Sequence, residues 1–160
     1  MLHQNDILSV VRSHKILLDT SFAMQPGFPE FIQNFAPAFR RNPILIPALV
    51  LWELKEKHRE HTSGLIARST LELLALLILS RQAEVRREQC DRFQDLVILR
   101  VTLQHMLSHD IVVLTNDRQL MLDLRAMRNC KSVRSRQRLK ILKIHGPTQH
   151  PCFFEECEFR

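Results

Sequence analysis

The amino-acid sequence predicts an α/β fold built on a mainly parallel central sheet, and three observations support this class. Four short apolar runs have the length and composition of buried strands: residues 16–18, 44–46, 111–114 and 139–144. The segments between them place apolar residues at helical spacing, and strands that alternate with helices are typical of parallel sheets. Only three glycines and no tyrosine are present, which argues against an all-β chain. A length of 160 residues suits one domain, which we place at residues 1–144, with residues 145–160 as a C-terminal tail.

The first part of the chain is predicted to hold two strands, each followed by a helix. The first strand ends at Asp19. Phenylalanines at helical spacing then predict a helix that begins near Pro29, because proline is well tolerated in a first helical turn. The second strand is followed by Pro47, which stops strand pairing and begins a helix that reaches about His58.

The most apolar part of the chain lies in its middle. Residues 65–87 predict one long helix, and apolar side chains surround it almost completely between residues 65 and 79. This pattern favours a helix enclosed in the core, with a homodimer or partner-protein interface as the alternative. On the preceding helix, Trp52 is expected in the core rather than as a surface on which a nucleic-acid base stacks.

The last part of the domain is predicted to alternate helix and strand again. A helix covers about residues 93–107, and the next strand ends shortly before Asn116 and Asp117. A further helix is expected from Asp117 to about Met127. A basic stretch then leads to the final strand.

Composition argues against membrane and secreted proteins. The longest apolar stretch starts at Leu71 and contains Glu72, and it is far shorter than the roughly 20 residues that a membrane span needs. The N-terminus carries an early Asp6 and lacks the basic start and long apolar core of a secretory signal. The four cysteines show no close regular spacing. We therefore expect reduced thiols and an intracellular, cytoplasmic protein, with the nucleus as the alternative compartment.

The net charge of +6 comes from one local block. Residues 1–123 hold equal numbers of acidic and basic residues, whereas residues 124–144 hold eight basic residues and no acidic one. Such a block is a candidate contact for the phosphate backbone of a nucleic acid, with a solvated loop as the alternative. The candidate substrate-binding residues are Arg125, Arg128, Lys131, Arg134, Arg136 and Arg138.

Four acidic residues stand among apolar neighbours rather than in charged runs: Asp19, Glu53, Asp95 and Asp117. Two of them follow predicted strands, and functional groups gather at the carboxyl ends of parallel strands. Carboxylates that converge repel one another, and a hard divalent cation such as Mg²⁺ or Mn²⁺ removes that repulsion. A cation of this kind polarises a phosphate ester and activates water. Taken singly, each acid is more typical of a surface or capping residue, and Asp117 is a candidate N-cap.

Four stretches, in this order, resemble the PIN-domain nucleases: ILLDTS, LIPALVLWELKE, QDLVIL and IVVLTNDRQL. The resemblance covers about residues 15–144. Its specific parts are the acid and hydroxyl residues after the first strand, the P-x-x-V-x-x-E-L helix start at Pro47 and the L-T-N-D-x-x-L element that begins at Leu114. The likeness is greatest to the branch of RNA-decay endonucleases and helicase-fused proteins, and the toxin ribonucleases of bacterial toxin–antitoxin pairs are more distant.

This resemblance implies a three-layer α/β/α fold with an acidic pocket that binds Mg²⁺ or Mn²⁺. The family's acidic positions correspond to Asp19, Glu53, Asp95 and Asp117, and its supporting polar positions to Ser21 and Thr115. The implied activity is that of an endoribonuclease, which hydrolyses phosphodiester bonds of single-stranded RNA with one or two metal ions. Asp91 lies one helical turn from Asp95 and is an alternative to it, and Asp123 is a further candidate acid whose setting suits a helix surface.

Two segments depart from the family pattern. Residues 129–138 form a longer and more basic link to the last strand than is usual, which suits a substrate arm or an insertion. The tail has no counterpart in the family. Its three phenylalanines are expected to pack on the domain or on a partner: Phe153, Phe154 and Phe159. A zinc site is the alternative for another group in the tail: His145, His150, Cys152 and Cys157.

Two other functions compete with the metal-dependent ribonuclease. A catalytically silent PIN-like module that binds RNA or a protein partner would have no need of all four acids. A phosphatase that uses Asp19 as nucleophile, like the haloacid-dehalogenase enzymes, needs a second aspartate two residues later, where this chain has Ser21. The ribonuclease is therefore the leading hypothesis, and the sequence leaves open its RNA substrate and its role as a toxin, a processing enzyme or a decay enzyme.

Overall fold

The computed structural model describes residues 2–87, 94–129 and 138–154 of the chain. Within them one six-stranded sheet has the order β3-β2-β1-β4-β5-β6, and only β6 runs antiparallel to its neighbour. The strands are β1 (Lys15–Leu18), β2 (Ile44–Pro47), β3 (Ala83–Arg86), β4 (Ile111–Leu114), β5 (Leu139–Ile144) and β6 (Pro151–Phe153). The prediction of an α/β fold with a mainly parallel sheet is confirmed.

Helices cover both faces of this sheet and give three layers. They are α1 (Leu2–Ser13), α2 (Thr20–Ala23), α3 (Phe28–Phe39), α4 (Ala48–His58), α5 (Gly64–Leu79), α6 (Gln94–Met106) and α7 (Arg118–Asn129). The first apolar core lies between one face of the sheet and the five helices from α1 through α5. The second core lies between the other face and the helices α6 and α7. Alternate residues of the four central strands enter the two cores, as in β1, where Leu17 enters the second core and Leu18 the first.

The five parallel strands give the sheet two unlike edges, which we call the carboxyl edge and the amino edge after the strand ends that they contain. α5 ends only a few residues before β3 begins, and α6 stands in the same relation to β4. Both helices therefore start near the carboxyl edge and finish near the amino edge. α4 starts at the carboxyl edge, directly after β2, and packs against α5.

The prediction of one helix over residues 65–87 is wrong. α5 ends at Leu79, the backbone turns at Arg81 with a φ of 59°, and β3 follows. β3 is an edge strand that pairs only with β2, and Glu84, Val85 and Arg86 are exposed. Because an edge strand with polar side chains lacks the apolar run of a central strand, its sequence was indistinguishable from a charged helix end.

Two predictions of burial are also wrong. Trp52 is 57% exposed on α4, and α5 buries only one side. Leu65 and Leu79, at its two ends, are 82% and 81% exposed, whereas Leu74 is fully buried. The all-round apolar pattern of α5 therefore does not reflect an enclosed helix. α1 was not predicted from the sequence, and its Ile7 and Val11 join the first core one helical turn apart.

The tail beyond residue 144 returns to the sheet as β6. Phe153 and Phe154 are buried, as predicted, and Phe159 lies outside the described residues. The loop before β6 is held to the start of α3, because the Gly27 amide donates to Gln149 Oε1 at 2.9 Å. A Cβ atom at Gly27 would stand 2.4 Å from the Gln149 carbonyl oxygen, so this approach requires glycine.

The prediction of reduced thiols is wrong for Cys152, which is disulfide-bonded. A cysteine in a disulfide is not available as a zinc thiolate, and this weakens the alternative of a zinc site in the tail. Among the helices of the described residues, none combines the length and the apolar character that crossing a membrane requires.

Candidate active site

Asp19 lies at the carboxyl end of β1 and begins α2. Its extended backbone and short side chain suit an N-cap, and its carboxylate accepts from the Ser21 amide at 3.3 Å. The Asp19 amide donates to the Leu114 carbonyl at 3.0 Å, which ties this residue to the neighbouring strand β4. Only 3% of Asp19 is exposed. A strand end, a cap and a neighbouring strand therefore hold one buried carboxylate in place.

Two hydroxyl groups converge on this carboxylate. Ser21 Oγ donates to Asp19 Oδ2 over a short hydrogen bond, and Thr115 Oγ1 donates to the same oxygen at 2.8 Å. Ser21 Oγ also accepts from the amides of Asn116 and Asp117, at 2.8 and 3.0 Å. Thr115 Oγ1 accepts from the Asp117 amide at 3.1 Å. We call these linked residues, Asp19, Ser21, Thr115, Asn116 and Asp117, the Asp19 network.

The direction of these bonds fits an ionised carboxylate. Each hydroxyl has one proton and gives it to Asp19 Oδ2, while the backbone amides donate to the hydroxyl oxygens. Burial nevertheless raises the pKa of the Asp19 carboxyl, because desolvation outweighs the hydrogen bonds from Ser21 and Thr115 that favour the charged form. A nearby cation would relieve this cost of burial.

Asp117 follows β4, the strand next to β1, and begins α7. Its Oδ1 accepts from the Leu120 amide at 2.9 Å, and its carbonyl accepts from the Met121 amide. The capping role that the sequence offered as an alternative is therefore present. The Asp117 amide contacts both Ser21 and Thr115, so the start of α7 is fixed to the same hydroxyls that hold Asp19.

The other two predicted acids belong to helices that start at the same edge. Glu53 is half-exposed in the second turn of α4. One turn earlier, Leu49 packs on the second core, the same core that receives Leu17 two residues before Asp19. Asp95 is the second residue of α6, the helix that covers this core and starts near the carboxyl edge. Asp91 lies outside the described residues.

The predicted basic residues do not gather at this edge. Arg138 directly precedes β5, and its amide donates to Asp110 Oδ1 at the amino edge. Arg125 and Arg128 lie in the second half of α7, with Arg128 roughly 15 Å along the helix axis from Arg118. Three further candidates lie outside the described residues: Lys131, Arg134 and Arg136. Arg128 and Arg138 are thus distant from the Asp19 network, whereas Lys143 of the same block lies at the carboxyl edge, between Leu142, which pairs with Leu114, and Ile144, which pairs with Asn116.

Asp123 has the surface setting that its sequence context predicted. It is half-buried on α7, and its Oδ1 accepts from Gln119 Nε2 at 3.0 Å, one helical turn away. This i,i+4 pair is a local helix contact.

Two residues at the carboxyl edge carry oxygen donors of the kind that a hard divalent cation prefers. Asp19 and Asp117 offer carboxylate oxygens at adjacent strand ends, and Mg²⁺ is commonly bound by one or two carboxylates while it keeps several waters. Among residues 2–87, 94–129 and 138–154, no group of three or more His, Cys, Asp or Glu side chains is arranged to hold a metal. The fit therefore depends on the chemistry of the donors and on the buried charge of Asp19.

Asn116 is a member of the network that sequence analysis used only as a turn signal. Its Nδ2 donates to the Ile144 carbonyl at 2.8 Å and its Oδ1 accepts from the Ile144 amide at 3.0 Å. The side chain thus imitates one more residue of β4 and extends its pairing with β5. An asparagine directly after a buried strand was the available signal for this role.

Comparison with known proteins gives no family model that matches the chain and no curated protein that matches it.

Proposed function

We propose that the protein is a metal-dependent endoribonuclease of the PIN-like type, which hydrolyses phosphodiester bonds of single-stranded RNA at the carboxyl edge. The observation that carries the proposal is the buried Asp19 carboxylate, held by two hydroxyls next to the start of α7. A carboxylate that is both desolvated and oriented is characteristic of a functional site. We include an intracellular, cytoplasmic setting in the proposal. The disulfide at Cys152 counts against a compartment in which all thiols are kept reduced.

Asp19 and Asp117 would hold Mg²⁺ or Mn²⁺, and Glu53 and Asp95 are the further candidate ligands. When bound, such an ion polarises the phosphodiester and lowers the pKa of an attacking water. Ser21 and Thr115 act on Asp19 itself, because their hydroxyl protons fix the position of Oδ2. Through its own amide, Asp117 is held by the same two residues, so the hydroxyls set the relative position of both strand ends.

The sequence disfavours Asp19 as a covalent nucleophile, because Ser21 stands where an aspartyl-phosphate phosphatase needs a second aspartate. The Ser21 hydroxyl donates to Asp19 Oδ2 and supplies no second carboxylate. A phosphatase that forms an aspartyl intermediate is therefore the poorer description of this site. The catalytically silent module remains the alternative that an activity assay separates from the ribonuclease.

The test is cleavage of single-stranded RNA and DNA with Mn²⁺, with Mg²⁺ and with EDTA. We expect Asp19→Asn and Asp117→Asn each to lower the cleavage rate by about 100-fold or more, because asparagine keeps the shape and removes the charge that holds the ion. Asp6→Asn, the same change on the exposed surface of α1, is the matched control and should keep full activity.

Two results would reject the ribonuclease. One is cleavage that persists at the wild-type rate in both Asp19→Asn and Asp117→Asn, since contamination would then be its source. The other is a wild-type protein that binds Mn²⁺ and single-stranded RNA yet cleaves none of a set of RNAs of mixed sequence. That second result would identify the silent module.

A further inference from the structure

Trp52 is a large aromatic side chain left in solvent next to a predicted catalytic residue. More than half of its surface is exposed, although a tryptophan buries an unusually large apolar area when it can. It directly precedes Glu53 in the second turn of α4. Its helix neighbours Val50 and Leu54 are fully buried, so α4 is firmly seated and presents Trp52 from a rigid base.

Exposed basic side chains lie on α4 and at the neighbouring strand end, alongside the half-buried Glu53 and Glu56 of α4. Lys55, one helical turn further along α4, is exposed. At the start of α4, Pro47 pairs in register with Arg86 of β3, and both Arg86 and the following Arg87 are exposed at the carboxyl edge. The basic block of residues 124–144, by contrast, has Arg138 at the amino edge. Lys143 of that block lies at the carboxyl edge on β5, but β1 and β4 separate β5 from β2, so Arg86 on the strand next to β2 is closer to the start of α4.

We propose that Trp52 is a stacking platform for an unpaired base of a single-stranded nucleic acid, with Lys55, Arg86 and Arg87 as contacts for the adjoining phosphates. This inference rests on the proposed function for the identity of the ligand and deepens it by naming a site that selects single strands. A base can lie on an indole face only when it has left its own stack, so a duplex cannot use the platform. Stacking on an aromatic ring does not depend on base identity, and we expect little sequence preference.

A nucleic-acid base explains the exposed indole better than a protein partner does. Lysine is depleted in the buried centre of protein interfaces, yet Lys55 lies one turn from Trp52. Just after α4, Arg59 is exposed and pairs with Glu56 at 2.9 Å. The surface better suited to a protein partner is α5, which exposes Leu65 near the carboxyl edge and Leu79 near the amino edge.

The chain offers a direct probe of this site. Trp52 is the only tryptophan and the chain has no tyrosine, so the fluorescence excited at the red edge of protein absorption reports Trp52 alone. In EDTA, where metal-dependent cleavage is blocked, titration with single-stranded RNA or DNA should quench this fluorescence in a saturable way. A duplex of the same sequence should quench it at least about 10-fold less effectively at equal concentration.

Variants separate stacking from other causes of quenching. Trp52→Phe should keep binding within a few fold, and Trp52→Ala should weaken it by roughly 10-fold or more, as measured by anisotropy of a labelled oligonucleotide in EDTA. Leu79→Ala removes a similarly exposed apolar side chain near the amino edge and should leave affinity unchanged. Arg86→Ala should reduce the dependence of affinity on salt.

The outcomes distinguish this inference from the proposed function. Wild-type affinity in Trp52→Ala, or equal quenching by duplex and single strand, overturns the platform even if cleavage is intact. Saturable quenching by single strands with no cleavage under any condition supports the platform and rejects the nuclease. Self-association that Trp52→Ala abolishes, with no quenching by nucleic acid, overturns the platform and assigns the surface to a second copy of the chain.

Discussion

Among the residues that the structure describes, each of the two edges of the sheet buries one titratable side chain, and the two side chains have opposite surroundings. At the carboxyl edge, Asp19 accepts hydrogen bonds from two hydroxyls and an amide. At the amino edge, His14 is 7% exposed, and its Nε2 has no hydrogen-bond partner among the described residues. Hydrogen bonds at the carboxyl edge favour the charged form of Asp19, although burial raises its pKa, whereas burial at the amino edge lowers the pKa of His14 and favours its neutral form.

The hydrogen bonds of the amino edge fix the neutral form of His14. Ser13 Oγ donates its one proton to the Ser9 carbonyl, so His14 Nδ1 donates to Ser13 Oγ at 2.8 Å and Nε2 carries the lone pair. Asn42 Nδ2 donates to the carbonyls of Val11 and His14 and fastens the end of α1 to the start of β2. A charged imidazole would place an unpaired N–H in this buried position.

This difference shows two ways in which the fold holds a buried ionisable group. The bonds at the amino edge close a chain turn, and they leave Nε2 of His14 without a hydrogen-bond partner among the described residues. The bonds at the carboxyl edge instead end on the ionisable oxygen and orient it. The Asp19 carboxylate also caps α2, and under the proposed function the two further hydroxyl bonds would orient it for a cation.

The largest effect should follow from removing the hydroxyl at the centre of the Asp19 network. Ser21→Ala leaves the Asn116 amide without this acceptor and takes one donor from Asp19. At about 1–3 kcal/mol for each group that loses its partner, we expect a fall of about 3 kcal/mol in the free energy of unfolding. Urea unfolding measures this, and the cleavage rate should fall as well.

The counterpart at the amino edge sharpens the comparison. Asn42→Ala removes the side chain that donates to two carbonyls, and a carbonyl oxygen has a second lone pair with which to accept. The free energy of unfolding should therefore fall by only about 1–2 kcal/mol, with cleavage preserved. Ser69→Ala, on the exposed face of α5, is the control for serine removal and should change stability by less than about 0.5 kcal/mol. Equal losses of activity in Ser21→Ala and Asn42→Ala would break the distinction between the edges.

The two buried groups should next give opposite dependences of stability on pH. Burial lowers the pKa of His14 from its ordinary 6.5. The charges of Lys140 and Arg138 lower it further, and the charge of Asp110 raises it. The stability that depends on neutral His14 is therefore complete above pH 6.5 and is lost as the pH falls through the lowered folded-state pKa. The pKa of Asp19 is raised from 3.8 by burial. The stability that this group contributes is therefore complete below pH 3.8 and is lost as the pH rises through its folded-state pKa.

Substitution tests these signs separately. His14→Gln should flatten the acid side of a plot of unfolding free energy against pH, whereas His61→Gln, a change at an exposed histidine, should not. Asp19→Asn should be more stable than wild type at pH 7 while it loses cleavage activity, because a buried charge is gone. If Asp19→Asn is less stable than wild type at every pH, the hydrogen bonds to the charged carboxylate stabilise the fold by more than its desolvation costs.

Local sequence was enough to predict the strand ends and their acids, and not enough to predict what faces solvent. Asp19 follows a buried strand directly, and any parallel sheet carries such a residue to the carboxyl edge. The exposure of Trp52 depends instead on which face of α4 meets α5 and the sheet, and an apolar pattern does not encode that choice. β3 was missed for a related reason, since an edge strand has no buried partner on one side.

The basic block shows a consequence of topology that composition conceals. Arg138 directly precedes β5, and a parallel strand starts at the amino edge, so Arg138 belongs there. α7 runs back toward the same edge and carries Arg128 with it. The charge of the block alone predicted that Arg128 and Arg138 lie near the site. The directions of α7 and β5 place both residues near the amino edge instead.

The smallest stability effect should come from Asp117, and it separates capping from chemistry. Asparagine caps helices about as well as aspartate, so Asp117→Asn should keep the bond to the Leu120 amide and change unfolding free energy by only a few tenths of a kcal/mol. Asp117→Ala loses the cap and should cost about 1 kcal/mol. If Asp117 serves α7 alone, activity will follow stability across the two variants. If it also binds the ion, both will lose cleavage although only Asp117→Ala loses stability, and thermal unfolding beside the cleavage assay decides between these results.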